Sequence, residues 1–117
     1  MGLTPEQRRL LFRYDRDLPL EALTTSISRD SGGDGLHIER FSFASTHGQR
    51  VPAVLYRQVD PPSPRPVIVV GHGAGQSKDE PLINLLLAHW AAAGFACVSI
   101  DAPFHGERRA HVLDPAT

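Results

Sequence analysis

Four apolar residues, Val67-Ile68-Val69-Val70, run straight into Gly71-His72-Gly73-Ala74-Gly75, and a second apolar segment opens at Leu82. This order constrains the fold more than any other feature. A short β-branched run that ends at a glycine reads as a strand. The segment from about Asp79 to Ala93 is long enough for a helix and closes at Gly94, and Phe95 to Ile100 is a second apolar strand. Strands joined through a crossover helix lie parallel, so the chain is α/β and contains a βαβ unit. Ser77 with Glu80 matches a capping box, yet Pro81 suits only a first helical turn, which favours Asp79 as the cap. The helix body, Leu82 to Ala91, is apolar nearly all round and predicts cover on more than one side.

A strand that ends in glycines and feeds a helix leaves backbone N–H groups pointing into the crevice at the strand's carboxyl end, where they can hold negative charge. Spacing separates the candidate anions. A dinucleotide fingerprint needs a third glycine, which would fall at Gln76 from Gly71 and Gly73, or at Lys78 from Gly73 and Gly75, so it fails in both registers. A phosphate loop needs a G-K-[ST] ending, but Lys78 stands between Ser77 and Asp79.

Upstream, Thr4 to Tyr14 reads as a short helix with Thr4 as cap, Pro5 in the first turn and Leu10, Leu11 and Tyr14 on one face. The Pro19 region and Ser31 to Gly35 make a loop-rich passage. Leu36 to Phe43 and Val51 to Tyr56 then form an antiparallel hairpin around Thr46-His47-Gly48-Gln49, and the proline-rich run Asp60 to Pro66 is a surface connection. Residues 1–35 are therefore an N-terminal helix and loop, and residues 36–117 form one domain unit.

With 117 residues, 41% hydrophobic and 21% charged, the chain holds at most one globular domain. Its formal charge of −1, without a run of like charge, favours neither nucleic acid nor an anionic membrane surface. No stretch of 18 apolar residues and no signal-peptide core occurs, so a cytoplasmic location is expected. The single cysteine, Cys97, lies in an apolar strand and reads as a small buried hydrophobe.

Two motifs in order carry a family resemblance. His72-Gly73-Ala74-Gly75 looks like the H-G-x-G that follows the third strand of α/β-hydrolases of the esterase and dienelactone-hydrolase-like branch. Asp101-Ala102-Pro103-Phe104-His105-Gly106-Glu107-Arg108 looks like the D-x-P-x-H-G-x-[SR] loop after their fourth strand. The two lie about 30 residues apart, and together they are more specific than either alone. The resemblance covers Leu36 to Arg109. It implies a serine hydrolase of carboxylic esters or related acyl bonds, with a small-molecule ester as substrate in the complete enzyme and no dissociable cofactor. By the same resemblance the Ala74 N–H is an oxyanion donor, supported by a turn of His72, Gly73 and Gly75, and the second loop, with Asp101, His105 and Gly106, is structural.

That resemblance also implies an incomplete fold. The first four strands are supplied, while the nucleophile elbow, the triad acid and the triad histidine would all follow Thr117, and no nucleophile, acid or base of a triad is identifiable in these residues. The fifth strand would pair beside Val67, Ile68, Val69 and Val70, which leaves that edge as a predicted site for self-association or for another polypeptide. The isolated chain is expected to be marginally stable, dimeric or dependent on a partner. His72 and His105, each before a glycine at a strand exit, read as turn-organising rather than catalytic. His89 reads as a packed or partly exposed helix residue and His111 as solvated. Arg108 is expected to pair with Asp101 or Glu107. A metal site assembled from His72, Asp101, His105 and Glu107 has no supporting spacing, so no metal is expected. Two other readings stay open: a non-catalytic remnant that binds through its open strand edge or crevice, and a nucleotide-binding βαβ module, which the missing third glycine disfavours.

Overall fold

A computed structural model describes residues 2–11, 18–29, 35–59 and 64–109. The elements are α1 (Pro5–Leu11), β1 (Leu23–Arg29), β2 (Leu36–Ala44), β3 (Arg50–Gln58), β4 (Val67–Val70), α2 (Pro81–Ala92) and β5 (Ala96–Ile100). The five strands form one sheet in the order β1-β2-β3-β5-β4, antiparallel except for the parallel pair β4 and β5. β5 therefore lies between β3 and β4, and the crossover helix α2 is what permits the parallel pairing. The fold is α/β, with an N-terminal helix, a hairpin and a βαβ unit, as the patterning predicts.

α2 covers the sheet with a stripe at helical spacing. Ile83, Leu87 and Ala91 are buried against Leu36, Val54, Tyr56 and Cys97. Ile68 and Val70 lean on the same cluster. Their neighbours Val67 and Val69 face the other side of the pleat and are 61% and 68% exposed. Leu82 and Leu85 are exposed on the far side of α2. The helix that is apolar all round thus has cover on one side among the described residues. Burial also raises the pKa of the Cys97 thiol, which fits the packed hydrophobe expected there.

Four local readings need correction or completion. The passage read as loop-rich carries a strand: β1 pairs with β2 through a bulge between Thr24 and Ser26, and the Thr24 hydroxyl donates to Glu39 at 2.8 Å. The bond with His37, and after it the one from Thr24, lower the Glu39 pKa. β1 lacks a long apolar run, and its pairing surface exists only once β2 is formed. The cap of α2 is Glu80 rather than Asp79, and its side chain makes no capping bond. Pro81 occupies the first turn, where its missing N–H costs nothing, and the Asp79 amide is taken by the Ser77 hydroxyl at 3.1 Å. Among the described residues α1 runs Pro5–Leu11, with Thr4 and Gln7 exchanging reciprocal capping bonds of 2.9 and 3.1 Å. Tyr14, most of the proline-rich connection and His111 lie outside the described residues. Finally, Leu10 and Leu11 are exposed, so α1 buries no apolar face among the described residues.

Candidate functional site

Because β4 and β5 are parallel neighbours, the turns that leave them emerge at the same end of the sheet. This juxtaposes residues 71–78 with residues 101–109, two segments far apart in sequence. The contacts between them are polar and reciprocal. Ala102 N–H donates to His72 Nε2 at 3.0 Å, and Gly75 N–H donates to His105 Nε2 at 3.2 Å. The two rings lie 5.1 Å apart.

The backbone partners decide the histidine tautomers. An amide N–H can only donate and a carbonyl can only accept, so each Nε2 is unprotonated and each Nδ1 carries the hydrogen. His72 Nδ1–H donates to the Gly73 carbonyl at 2.9 Å, and His105 Nδ1–H donates to the Pro103 carbonyl at 3.0 Å. Both nitrogens of both rings are engaged within the two loops.

The amides of the glycine turn can be followed one by one. Gly73 N–H donates to Gln76 Oε1 at 2.8 Å, Gly75 N–H to His105, and Gln76 N–H to the Gly73 carbonyl at 3.1 Å. Ala74 N–H has no hydrogen-bond partner among the described residues, and the residue is exposed. Gly75 has φ +77°, a conformation that a residue with a Cβ rarely adopts. A cavity of about 370 Å³ adjoins this turn, lined by Gly75, Gln76, Phe104, His105, Gly106 and Arg109. Phe104 holds φ +65° and presents an exposed ring to it.

Beneath the turn lies a cation that sequence reading did not select. Lys78 is 1% exposed and Asp101 0%. Lys78 Nζ donates to Asp101 Oδ2 at 2.9 Å, to Glu107 Oε2 at 2.6 Å and to Asp79 Oδ2 at 3.2 Å. The Lys78 amide donates to Asp101 Oδ1 at 2.9 Å, and the Glu107 amide to Asp101 Oδ2 at 3.0 Å. Burial works against the Lys78 ammonium, but the bonds from Glu107 and Asp101 and the charges of Asp101 and Asp79 outweigh it, and its pKa is raised. Burial likewise opposes the Asp101 carboxylate, and the Lys78 ammonium with the two amides overcomes it and lowers the pKa.

The expected partnership of Arg108 is corrected accordingly. Its guanidinium donates to the Asp101 main-chain carbonyl at 3.1 Å and to the Gln49 side chain, while Lys78 takes the Asp101 carboxylate. In sequence Lys78 served only to exclude a dinucleotide fingerprint and a phosphate loop. Its burial has no local signal, because the carboxylate that receives it comes from another strand. His89 is exposed in the last turn of α2. Among the described residues no three His, Cys, Asp or Glu side chains gather as a metal ion would require.

The sequence matches no protein-family model and no curated protein. Solved structures do match. An acetyl xylan esterase from Paenibacillus sp. R4 superposes with a TM-score of 0.65 at 24% identity, over 84% of this chain and 31% of that one. A cold-adapted esterase from an Arctic intertidal metagenomic library gives 0.61 at 24% identity, over 90% and 39%. Acetyl xylan esterase 1 from Thermoanaerobacterium sp. JW/SL YS485 gives 0.63 at 19% identity, over 86% and 30%. The fold is that of the N-terminal portion of an α/β-hydrolase. The chain spans between 30% and 39% of the length of these three proteins. In this fold the glycine turn follows β4 and the Asp101 loop follows β5. No helix among the described residues is long and apolar enough to cross a membrane.

Proposed function

We propose that the chain is the part of a serine hydrolase of carboxylic esters, or of related acyl bonds, that contributes one oxyanion donor, the N–H of Ala74. The observation that carries this reading is the state of the amides at the centre of the turn: those of Gly73, Gly75 and Gln76 are engaged, and between them that of Ala74 is open to an incoming oxygen. Such a donor contributes most when it is already aimed before charge develops. In the complete enzyme a serine attacks the ester carbonyl, and the carbonyl oxygen becomes an oxyanion. Ala74 N–H and the amide following the nucleophile then share its charge. His72, Gly73 and Gly75 shape the turn, and Asp101, His105 and Gly106 hold the loop beside it. The hydrolase unit begins at Leu36, and β1 lengthens its sheet by one antiparallel strand at the outer edge. The nucleophile, acid and base belong to a segment that adds strands beside β4. Substrates are small esters, in keeping with structural neighbours named as esterases.

The test is reconstitution. The chain is mixed with a polypeptide carrying the later strands and the triad of such a hydrolase, and release of p-nitrophenol from its acetate ester is followed. Recovered hydrolysis supports the reading. Ala74→Pro deletes the amide hydrogen, and its kcat is expected to fall by about 10²–10³ with association unchanged. Undiminished turnover by Ala74→Pro would remove Ala74 from the mechanism. A second reading, binding without turnover through the edge of β4, draws on the exposure of Val67 and Val69. It predicts association with no ester hydrolysis.

A further inference from the structure

Burying an ammonium against a carboxylate strips water from both, and the loss is made good only where further hydrogen bonds complete the pair. Around Lys78 and Asp101 those bonds join two loops. Lys78 closes the turn that leaves β4, and Asp101 opens the loop that leaves β5. The Lys78 amide and ammonium both reach Asp101, the ammonium also reaches Glu107, and the Glu107 amide returns to Asp101. At the other foot of the turn His72 is held by Ala102 N–H, and in its middle Gly75 N–H is held by His105. The turn bearing Ala74 is thus fastened to one loop at its start, middle and end. Only the last fastening is both buried and ionic.

The bonds of Lys78 and Asp101 run between the glycine turn and the loop after β5. Charge-assisted bonds are shorter and stiffer than neutral ones, and an ammonium held by three carboxylates has little freedom left. A donor that must not reorient as charge develops needs that stiffness.

We propose that Lys78 is a positioning residue: through its buried pair with Asp101 it fixes the C-terminal foot of the glycine turn and thereby sets the direction of the Ala74 N–H. The functional meaning of this assignment rests on the oxyanion reading above. Its geometric content can be measured separately.

The experiment compares the chain with the Lys78→Met/Asp101→Asn double variant, which removes both charges and leaves no unpaired buried ion. Residue-resolved amide exchange is expected to quicken about tenfold or more at Gly75 and Gln76, while Val54 and Cys97 keep their rates. Wild-type rates at Gly75 and Gln76 overturn the proposal, as does equal acceleration throughout the sheet. Should the double variant not fold, Asp101→Asn alone removes the buried ionic bond while Asp79 and Glu107 still partner the Lys78 ammonium. About threefold faster exchange confined to the turn then supports the proposal, and unchanged exchange overturns it. In the reconstituted hydrolase the double variant is expected to lose about 10- to 100-fold in kcat with KM within twofold, the signature of a misaimed transition-state donor. A raised KM at unchanged kcat contradicts that role. If the wild-type assembly hydrolyses no ester, the functional reading falls, and the exchange data still decide whether Lys78 positions the turn.

Discussion

Gly106 sits against the most heavily bonded carboxylate among the described residues. It holds φ +53°, and a Cβ built on it would collide with the Asp101 carboxylate. A side chain there meets two penalties at once, a left-handed backbone and an obstructed ion pair. Gly106→Ala is expected to destabilise the chain by about 2–3 kcal/mol, read from chemical denaturation. An unchanged midpoint would show that the loop shifts at little cost. The ion pair itself predicts how stability follows pH. The lowered pKa of Asp101 means that its contribution is present above the ordinary carboxylate range and is lost as pH falls through it. The raised pKa of Lys78 means that its contribution is present below the ordinary ammonium range and is lost as pH rises beyond it. Denaturation midpoints should therefore stay level at neutral pH and fall below about pH 4 and above about pH 10. In Asp101→Asn the acid fall should shrink, and an identical acid limb would assign it to other carboxylates.

α2 divides its leucines between two fates. Leu87 is fully buried against the sheet, whereas Leu85, two residues earlier and so on another face, is exposed. Sequence hydrophobicity cannot separate them, since both stand in the same apolar run. Leu87→Ala is expected to cost about 2–5 kcal/mol through lost contacts and the cavity left behind. Leu85→Ala should lie within about 0.5 kcal/mol of the parent. Equal losses in thermal melts would mean that the exposed face of α2 is covered in solution, as the all-round apolar pattern of the helix anticipates. β4 shows the same division at strand period, with Ile68 and Val70 on the cluster and Val67 and Val69 outward.

At the scale of the whole molecule, β1 ends the sheet on one side and β4 on the other. β4 is the more exposed hazard, because a short apolar edge strand presents unpaired backbone groups together with apolar side chains. In the proposed hydrolase this is where further strands would join. An open edge of this kind can pair with any strand of suitable register. Val69→Lys places a charge on the open face beside that edge and is expected to lower self-association in sedimentation velocity at micromolar concentration. Reconstitution with a partner segment should weaken in the same variant. A monomeric parent chain that Val69→Lys leaves unaltered would rule out self-pairing by this edge.

The residues alone determined what local physics governs: β4 and β5 from short apolar runs, α2 from its length and its closing glycine, and the β2–β3 hairpin from apolar runs flanking a turn. They also placed Gly71–Gly75 and Asp101–Arg108 at strand exits, since motifs that follow strands inherit their position from the strands. The tertiary structure decided the rest. β1 is a mixed polar segment that becomes a strand only against β2. The pairing of Lys78 with Asp101 depends on β5 lying between β3 and β4, which brings the two exits to the same end of the sheet. The engagement of the Gly75 amide depends on His105, which reaches it from the loop after β5. Periodicity reports on residues two to four apart, whereas a buried charge or a turn tethered in this way is defined by partners from elsewhere in the chain. Those partners exist only after the sheet is assembled.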